Sequence, residues 1–229
     1  LLAHSITGQA LPALVAGFVY AFAPLRFSQI IHLQLLSAWW APLAFLALDA
    51  WLREARSSRL VGAVVAVWCQ FLSSVYLGTM LALLLVPYTV WRGWPDRRQL
   101  LAPRRLRHLA AAGVVGVLLF LPVVMPYLRS QAQWGHERGL EYQLRNSAQP
   151  TSFLAASQTN WLYGDLTRSF RRRDAPWESA LFVGLVPLGL SCAGLIPRRR
   201  AGKAEGTNPC TIPRGYPLVA GLGVLLSLG

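Results

Sequence analysis

The sequence predicts an all-α protein: a polytopic transmembrane helical bundle with a short outer interfacial helix and one long extracytoplasmic loop. Three observations predict it. Residues of the set AVILMFWYC make up 54% of the 229 and charged residues only 14%, with a mean hydropathy of +0.40, too apolar for a soluble globule of this size. Apolar runs recur at about the length that crosses a hydrocarbon core of roughly 30 Å. The net charge of +13 is divided among short clusters between those runs, which orients a chain in a bilayer rather than building one nucleic-acid surface.

The elements follow in order. Residues 6–23 form a first span, ending at Pro24, and residues 35–52 a second, opened by Trp39 and Trp40, which suit an interfacial belt. The next apolar run, residues 60–91, holds 32 residues. As one helix it would reach about 48 Å at 1.5 Å per residue, too far for one crossing. Basic loops flank it on both sides, Arg53, Arg56 and Arg59 before it and six arginines from Arg92 to Arg107 after it. Both loops belong on the cytoplasmic side, so the run reads as a hairpin of two short spans, 60–74 and 76–91. It reverses near Ser73, Ser74 and Gly78, where small and hydroxylated residues permit close backbone approach. Residues 109–128 cross outward, 180–196 return, and 216–229 start another crossing.

Charge counts fit this arrangement. The three cytoplasmic loops (53–59, 92–107 and 197–214) hold 14 Lys or Arg in 41 residues, whereas the outer segments (24–34 and 129–178) hold 8 in 61, as the positive-inside rule expects. All of residues 1–229 read as a single transmembrane domain. The chain begins at Leu1 rather than Met and stops at Gly229 within an apolar stretch, so it reads as an internal fragment of a longer polytopic protein.

Two outer segments carry the candidate chemistry. Residues 24–34 suit a brief helix lying at the outer interface, with Pro24 in its first turn. At 100° per residue Arg26, Gln29 and His32 fall within a 120° arc, a face that suits a phosphate. The other reading is an interfacial helix whose polar residues meet water and headgroups. The outer loop 129–178 holds His136, Glu137, Glu141, Asn160, Asp165, the run Arg171, Arg172 and Arg173, and Glu178. Glu137 and Glu141 share a helix face, but His136 is not placed as in a zinc HExxH motif, and a solvated face is the simpler reading. The three arginines contact headgroup phosphates or hold an anionic lipid-linked substrate. Glu178 stands where the chain returns to the bilayer and either pairs with an arginine or joins the site. Asp49, near the cytoplasmic end of its span, reaches the interface or pairs with Arg53 at i+4. The three cysteines have no ligand-like spacing. No Walker A loop, dinucleotide fingerprint or nucleophile elbow is present.

The stretches Phe22-Ala-Pro-Leu-Arg26, His32-Leu-Gln-Leu and Trp40-Ala-Pro-Leu resemble bacterial polytopic glycosyltransferases of the GT-C type. So do Gln70-Phe-Leu-Ser-Ser-Val-Tyr-Leu-Gly, Asn160-Trp-Leu-Tyr-Gly and Glu178-Ser-Ala-Leu-Phe-Val-Gly. The resemblance implies an enzyme of the bacterial inner (cytoplasmic) membrane. It would transfer a sugar from a polyprenyl-phosphate donor to an extracytoplasmic acceptor and work in the cell envelope. It further implies a catalytic carboxylate in an outer loop before Leu1, with a divalent cation as a possible cofactor. Arg26, Gln29, His32, Arg171, Arg172 and Glu178 are the substrate-binding candidates. The rival expectations are a lipid or solute transporter or flippase, and a non-catalytic membrane subunit.

Overall fold

The structure is a computed structural model that describes residues 1–30, 32–134, 139, 147–172 and 179–195. Among the described residues every regular element is helical. They are α1 (Leu2–Thr7), α2 (Ala10–Ala21), α3 (Pro24–Ser28), α4 (Leu33–Leu36), α5 (Trp40–Glu54), α6 (Ser57–Ser73), α7 (Val75–Gly93), α8 (Arg97–Leu100), α9 (Pro103–Trp134) and α10 (Leu185–Leu195). Pro150–Leu154 and Arg168–Phe170 are short 3₁₀ turns. Four stretches, Ala10–Ser28, Leu33–Glu54, Val75–Gly93 and Pro103–Gln133, are long and apolar enough to cross a membrane, and Ser57–Ser73 is a shorter apolar helix. The chain is a multi-pass integral membrane protein.

The core is built by α5, α6 and α7. Leu48, Trp51, Leu52, Leu60, Ala63 and Tyr88 form one buried cluster, and Ala44, Ala66 and Leu81 a second. Apolar burial alone does not drive helices together in lipid, where acyl chains are as oily as leucine, so close contact between small residues matters more. The α6–α7 hairpin shows this. Ser74 has an extended backbone, and its hydroxyl caps α7 by accepting from the Leu77 amide at 3.3 Å. One turn further, Gly78 lies so close to α6 that a Cβ would stand 2.6 Å from the Phe71 ring and 2.8 Å from its Cα. Only glycine fits there.

Hydrogen bonds distinguish the two ends of the bundle. At one, the buried Asp49 carboxylate joins α5 to α7: Arg92 Nε donates to it at 2.8 Å, Arg53 Nη2 lies 2.9 Å away, and the Tyr88 hydroxyl donates at 3.5 Å. Arg53 also reaches the Ser5 hydroxyl at 3.0 Å, and the Arg105 guanidinium stands 5.8 Å from the centre of the Trp51 ring. The arginines of the 53–59 and 92–107 loops therefore share one end, the cytoplasmic one by their charge. At the other end the Tyr20 hydroxyl donates to Ala38 O at 2.6 Å, and Gln70 Nε2 donates to Ser37 O at 2.8 Å.

Several boundaries differ from the sequence reading. Residues 6–23 are not one helix: Gly8 takes a left-handed φ of +68° and closes α1, so α2 starts afresh at Ala10. The helix covering 109–128 is longer, Pro103–Trp134. Its apolar face, with Val114, Val117, Leu118 and Leu121, is exposed. The return helix begins at Leu185 rather than residue 180, because the backbone of Leu181 and Phe182 bonds to the outer loop instead. Residue 196, the 197–214 loop and the 216–229 span lie outside the described residues.

Candidate functional site

The outer segment between α2 and α5 folds back on itself through a series of tight turns. Backbone bonds run from Arg26 N to Ala23 O, Gln29 N to Arg26 O, His32 N to Gln29 O and Leu35 N to His32 O. The single interfacial helix over residues 24–34 is therefore replaced by α3, a turn and α4. Arg26 closes this fold. Its Nε donates to Tyr20 O at 2.8 Å and its Nη1 to Leu36 O at 2.7 Å, while the guanidinium stacks 4.5 Å above the Tyr20 ring. These carbonyls sit at helix ends, where they lack an intrahelical donor. Gln29 is buried at 8% exposure, and His32 is the half-buried residue that opens α4. Arg26 and Gln29 thus face protein rather than forming an open phosphate face with His32.

Arg26→Ala is expected to cost about 1–3 kcal/mol, the range for loss of charge-assisted bonds, with Tyr20 O losing its donor while Leu36 O keeps the Ala38 amide. Arg26→Lys recovers only part, since an ammonium cannot fork between two carbonyls and stack. Thermal unfolding of the purified protein in detergent measures both.

The outer loop builds a second structure, a cap centred on residues 160–170. The Asn160 side chain starts it by accepting from the amides of Leu162 and Tyr163 at 3.1 and 2.9 Å. Gly164 follows, where a Cβ would lie 2.5 Å from Asn160 O. Thr167 ties the turn to the preceding strand of chain, accepting from Ala156 N at 2.9 Å and donating to Tyr163 O at 2.8 Å. Arg171 spans the cap from inside: Nε donates to Ala156 O at 3.0 Å and Nη2 to Gly164 O. Arg172 donates its amide to the Ser179 hydroxyl at 3.3 Å and Nη1 to Ser147 O at 3.2 Å.

The cap is fastened to the segment that leads into α10. Leu181 N donates to Ser152 O and Phe182 N to Ala155 O, both at 3.0 Å, and the Phe182 ring meets Tyr163 edge-on at 5.1 Å. It also meets the first outer segment. The buried Ser28 hydroxyl donates to Ala180 O at 3.4 Å, and a Cβ at Gly184 would lie 3.9 Å from Pro24 Cγ. Two outer segments more than 100 residues apart in sequence therefore form one surface over the same end of the bundle.

That surface carries an open groove of 740 Å³, lined by Gln158, Asp165, Leu166, Arg168, Ser169, Arg171 and Arg172. Arg171 and Arg172 contribute charge from positions fixed by backbone bonds. Arg168 differs: it is exposed, and its guanidinium makes no hydrogen bond or ion pair among the described residues. Three arginines, one of them with a guanidinium unpaired among the described residues, together with Leu166 suit an anionic, partly apolar ligand, and Asp165 sets a carboxylate beside them. A second groove of 430 Å³, between α1, α5 and α6, is aliphatic along Leu43, Leu46 and Ala47, with charge at its cytoplasmic end. Among the described residues no three His, Cys, Asp or Glu side chains converge as a metal site would require.

The structure thus brings Arg171 and Arg172 into the outer groove, places Arg26 and Gln29 in the framework of the first outer segment and not in the groove lining, and leaves Glu178, His136, Glu137, Glu141 and Arg173 outside the described residues. Arg168, a groove residue, was not among the candidates read from sequence. A usable signal did exist: Asn160, Gly164 and Thr167 mark a capped turn that sets Arg168 and Asp165 on its outer side.

A family model described as Domain of unknown function (DUF6311) matches residues 1–228. No curated protein matches the chain, and no solved structure does.

Proposed function

Taking as premise that the chain belongs to the family of the Domain of unknown function (DUF6311), we propose that it is part of a membrane glycosyltransferase of the GT-C type. It would sit in the bacterial cytoplasmic membrane and transfer a sugar from a polyprenyl-phosphate donor to an extracytoplasmic acceptor. One observation carries the reading: the outer end of the bundle holds an arginine-lined groove, on the side that charge distribution leaves poor in cations. The motif resemblance supports the reaction class.

The chemistry needs such a groove. As the sugar's anomeric carbon leaves the phosphate oxygen, the bonding electron pair stays with polyprenyl phosphate, and negative charge grows there. Guanidiniums at a low-dielectric boundary stabilise that charge more than water does. Arg171 and Arg172, already held by carbonyls, are preorganised for it, and Arg168 has donors unused among the described residues. The acceptor's proton passes to a general base, which the resemblance implies is a carboxylate.

The test is an assay of the full-length protein with labelled polyprenyl-phosphate sugars. Arg168→Ala is expected to cut turnover about a hundredfold, the lower end of what loss of one charge-stabilising donor costs. Folding should be unaffected, because the side chain is exposed. No transfer to any acceptor pool by the unaltered protein would favour a transporter or a binding subunit.

A further inference from the structure

The cap turn exposes more than cations. Trp161 is 95% exposed, Leu166 70% and Leu162 57%, with Leu154 and Phe170 also open. These are not scattered residues. The backbone between Asn160 and Thr167 turns with helical i to i−4 bonds, Gly164 N to Asn160 O and Thr167 N to Tyr163 O, so Leu162 and Leu166 lie on one flank. The opposite flank is buried through Gly164 and Thr167. Arg168 and Asp165 edge the exposed face, and Leu166 itself lines the arginine groove. A tryptophan and two leucines held open in this way make an amphipathic turn, with apolar side chains bordered by the Arg168 guanidinium and the Asp165 carboxylate.

We infer that this face of the cap rests on the outer leaflet of the bilayer, with Trp161, Leu162 and Leu166 among the upper acyl chains and Arg168 at lipid phosphates. Two observations select lipid as the occupant. The cap is tied by Leu181, Phe182 and Ser28 to the segment that opens α10, which places it beside the membrane boundary rather than far out in water. The side-chain chemistry agrees: an exposed Trp and Leu surface with the Arg168 guanidinium at its edge is the composition that binds the headgroup and acyl boundary, and Asp165 on the same turn limits how deep the face sits. The inference stands on the multi-pass fold and does not depend on the glycosyltransferase reading. Its consequence is that the groove opens sideways to the leaflet, so that a lipid-borne anion would reach it without leaving the membrane.

The experiment uses the full-length protein in lipid nanodiscs, with Cys69, Cys192 and Cys210 replaced by serine and one cysteine introduced at position 161 or 162. Each carries an environment-sensitive fluorophore. Labels at Val117, on the exposed apolar side of α9, and at Asp96, in the cytoplasmic loop, serve as membrane and water references. Labels at 161 and 162 should emit to the blue of the Asp96 label and lose emission when lipids bearing a quencher high on the acyl chain are included. Trp161 and Leu162 are open, so the substitutions remove little packing, and retained melting temperature checks it. Two results overturn the inference: emission at 161 and 162 matching the Asp96 label, or a blue emission that lipid quenchers leave unchanged, which would mean cover by protein. Glycosyl transfer is measured separately on the same preparations, so loss of that reading is distinguishable from loss of membrane contact.

Discussion

Gly78→Ala is expected to unseat the α6–α7 hairpin and lower the melting temperature of the detergent-solubilised protein markedly. The added Cβ would stand 2.8 Å from the Phe71 Cα, a backbone atom that cannot swing away, as well as 2.6 Å from its ring. The two helices must separate or the Phe71 ring must leave its contact with Phe120, whose ring centre is 4.6 Å away. Overpacking of this kind costs about 1–3 kcal/mol and often more when backbone is involved. Gly113 provides the contrast. A Cβ there meets nothing within 4 Å, so Gly113→Ala should be neutral or stabilise by up to about 1 kcal/mol through helix propensity. Equal losses for the two variants would show that the hairpin is not packed as described.

Asp49→Ala should be nearly as damaging at the cytoplasmic end. The carboxylate is 5% exposed and engages both Arg53 and Arg92, one within its own helix and one from α7. Breaking a fully buried pair costs about 3–5 kcal/mol. The arginines are 46% and 32% exposed, so they can turn toward water and headgroups, and the expected loss falls to about 1–3 kcal/mol. A double-mutant cycle with Arg92→Leu isolates the cross-helix part: Asp49→Leu combined with Arg92→Leu should lose less than the two single losses together. Strict additivity would mean that the bond between α5 and α7 contributes nothing.

Fold class was legible because it follows from composition and segment length, which tertiary contacts do not alter. The Asp49–Arg53 pair was legible for the same reason, since i to i+4 neighbours meet on any helix. The partnership of Asp49 with Arg92 was not, because 43 residues separate them and only packing of α5 on α7 brings them together. The outer arginines show the limit most clearly. Sequence spacing left Arg26 facing either a phosphate or water and headgroups, yet its donors go to carbonyls exposed by the end of α2 and by α4, which a continuous helix over residues 24–34 would not have offered. Arg171 read as part of a basic run that meets headgroup phosphates or a lipid-linked anion, but its bonds reach back 15 residues to Ala156. Arg168, outside that run, is the one whose charge stays open to the groove among the described residues. In both outer segments the type of residue was readable and its use was not, because backbone acceptors compete with ligands for the same guanidinium.

The central claim is that the first outer segment and the cap form one surface on the extracytoplasmic side, opposite the 92–107 loop. Membrane-impermeant thiol labelling of intact cells tests it, with single cysteines at exposed Phe27, Arg168 and Arg97 in a cysteine-free background. Positions 27 and 168 should react from outside, and position 97 only after the membrane is permeabilised. Finding 27 and 168 on opposite faces, or 168 on the same face as 97, would contradict the account.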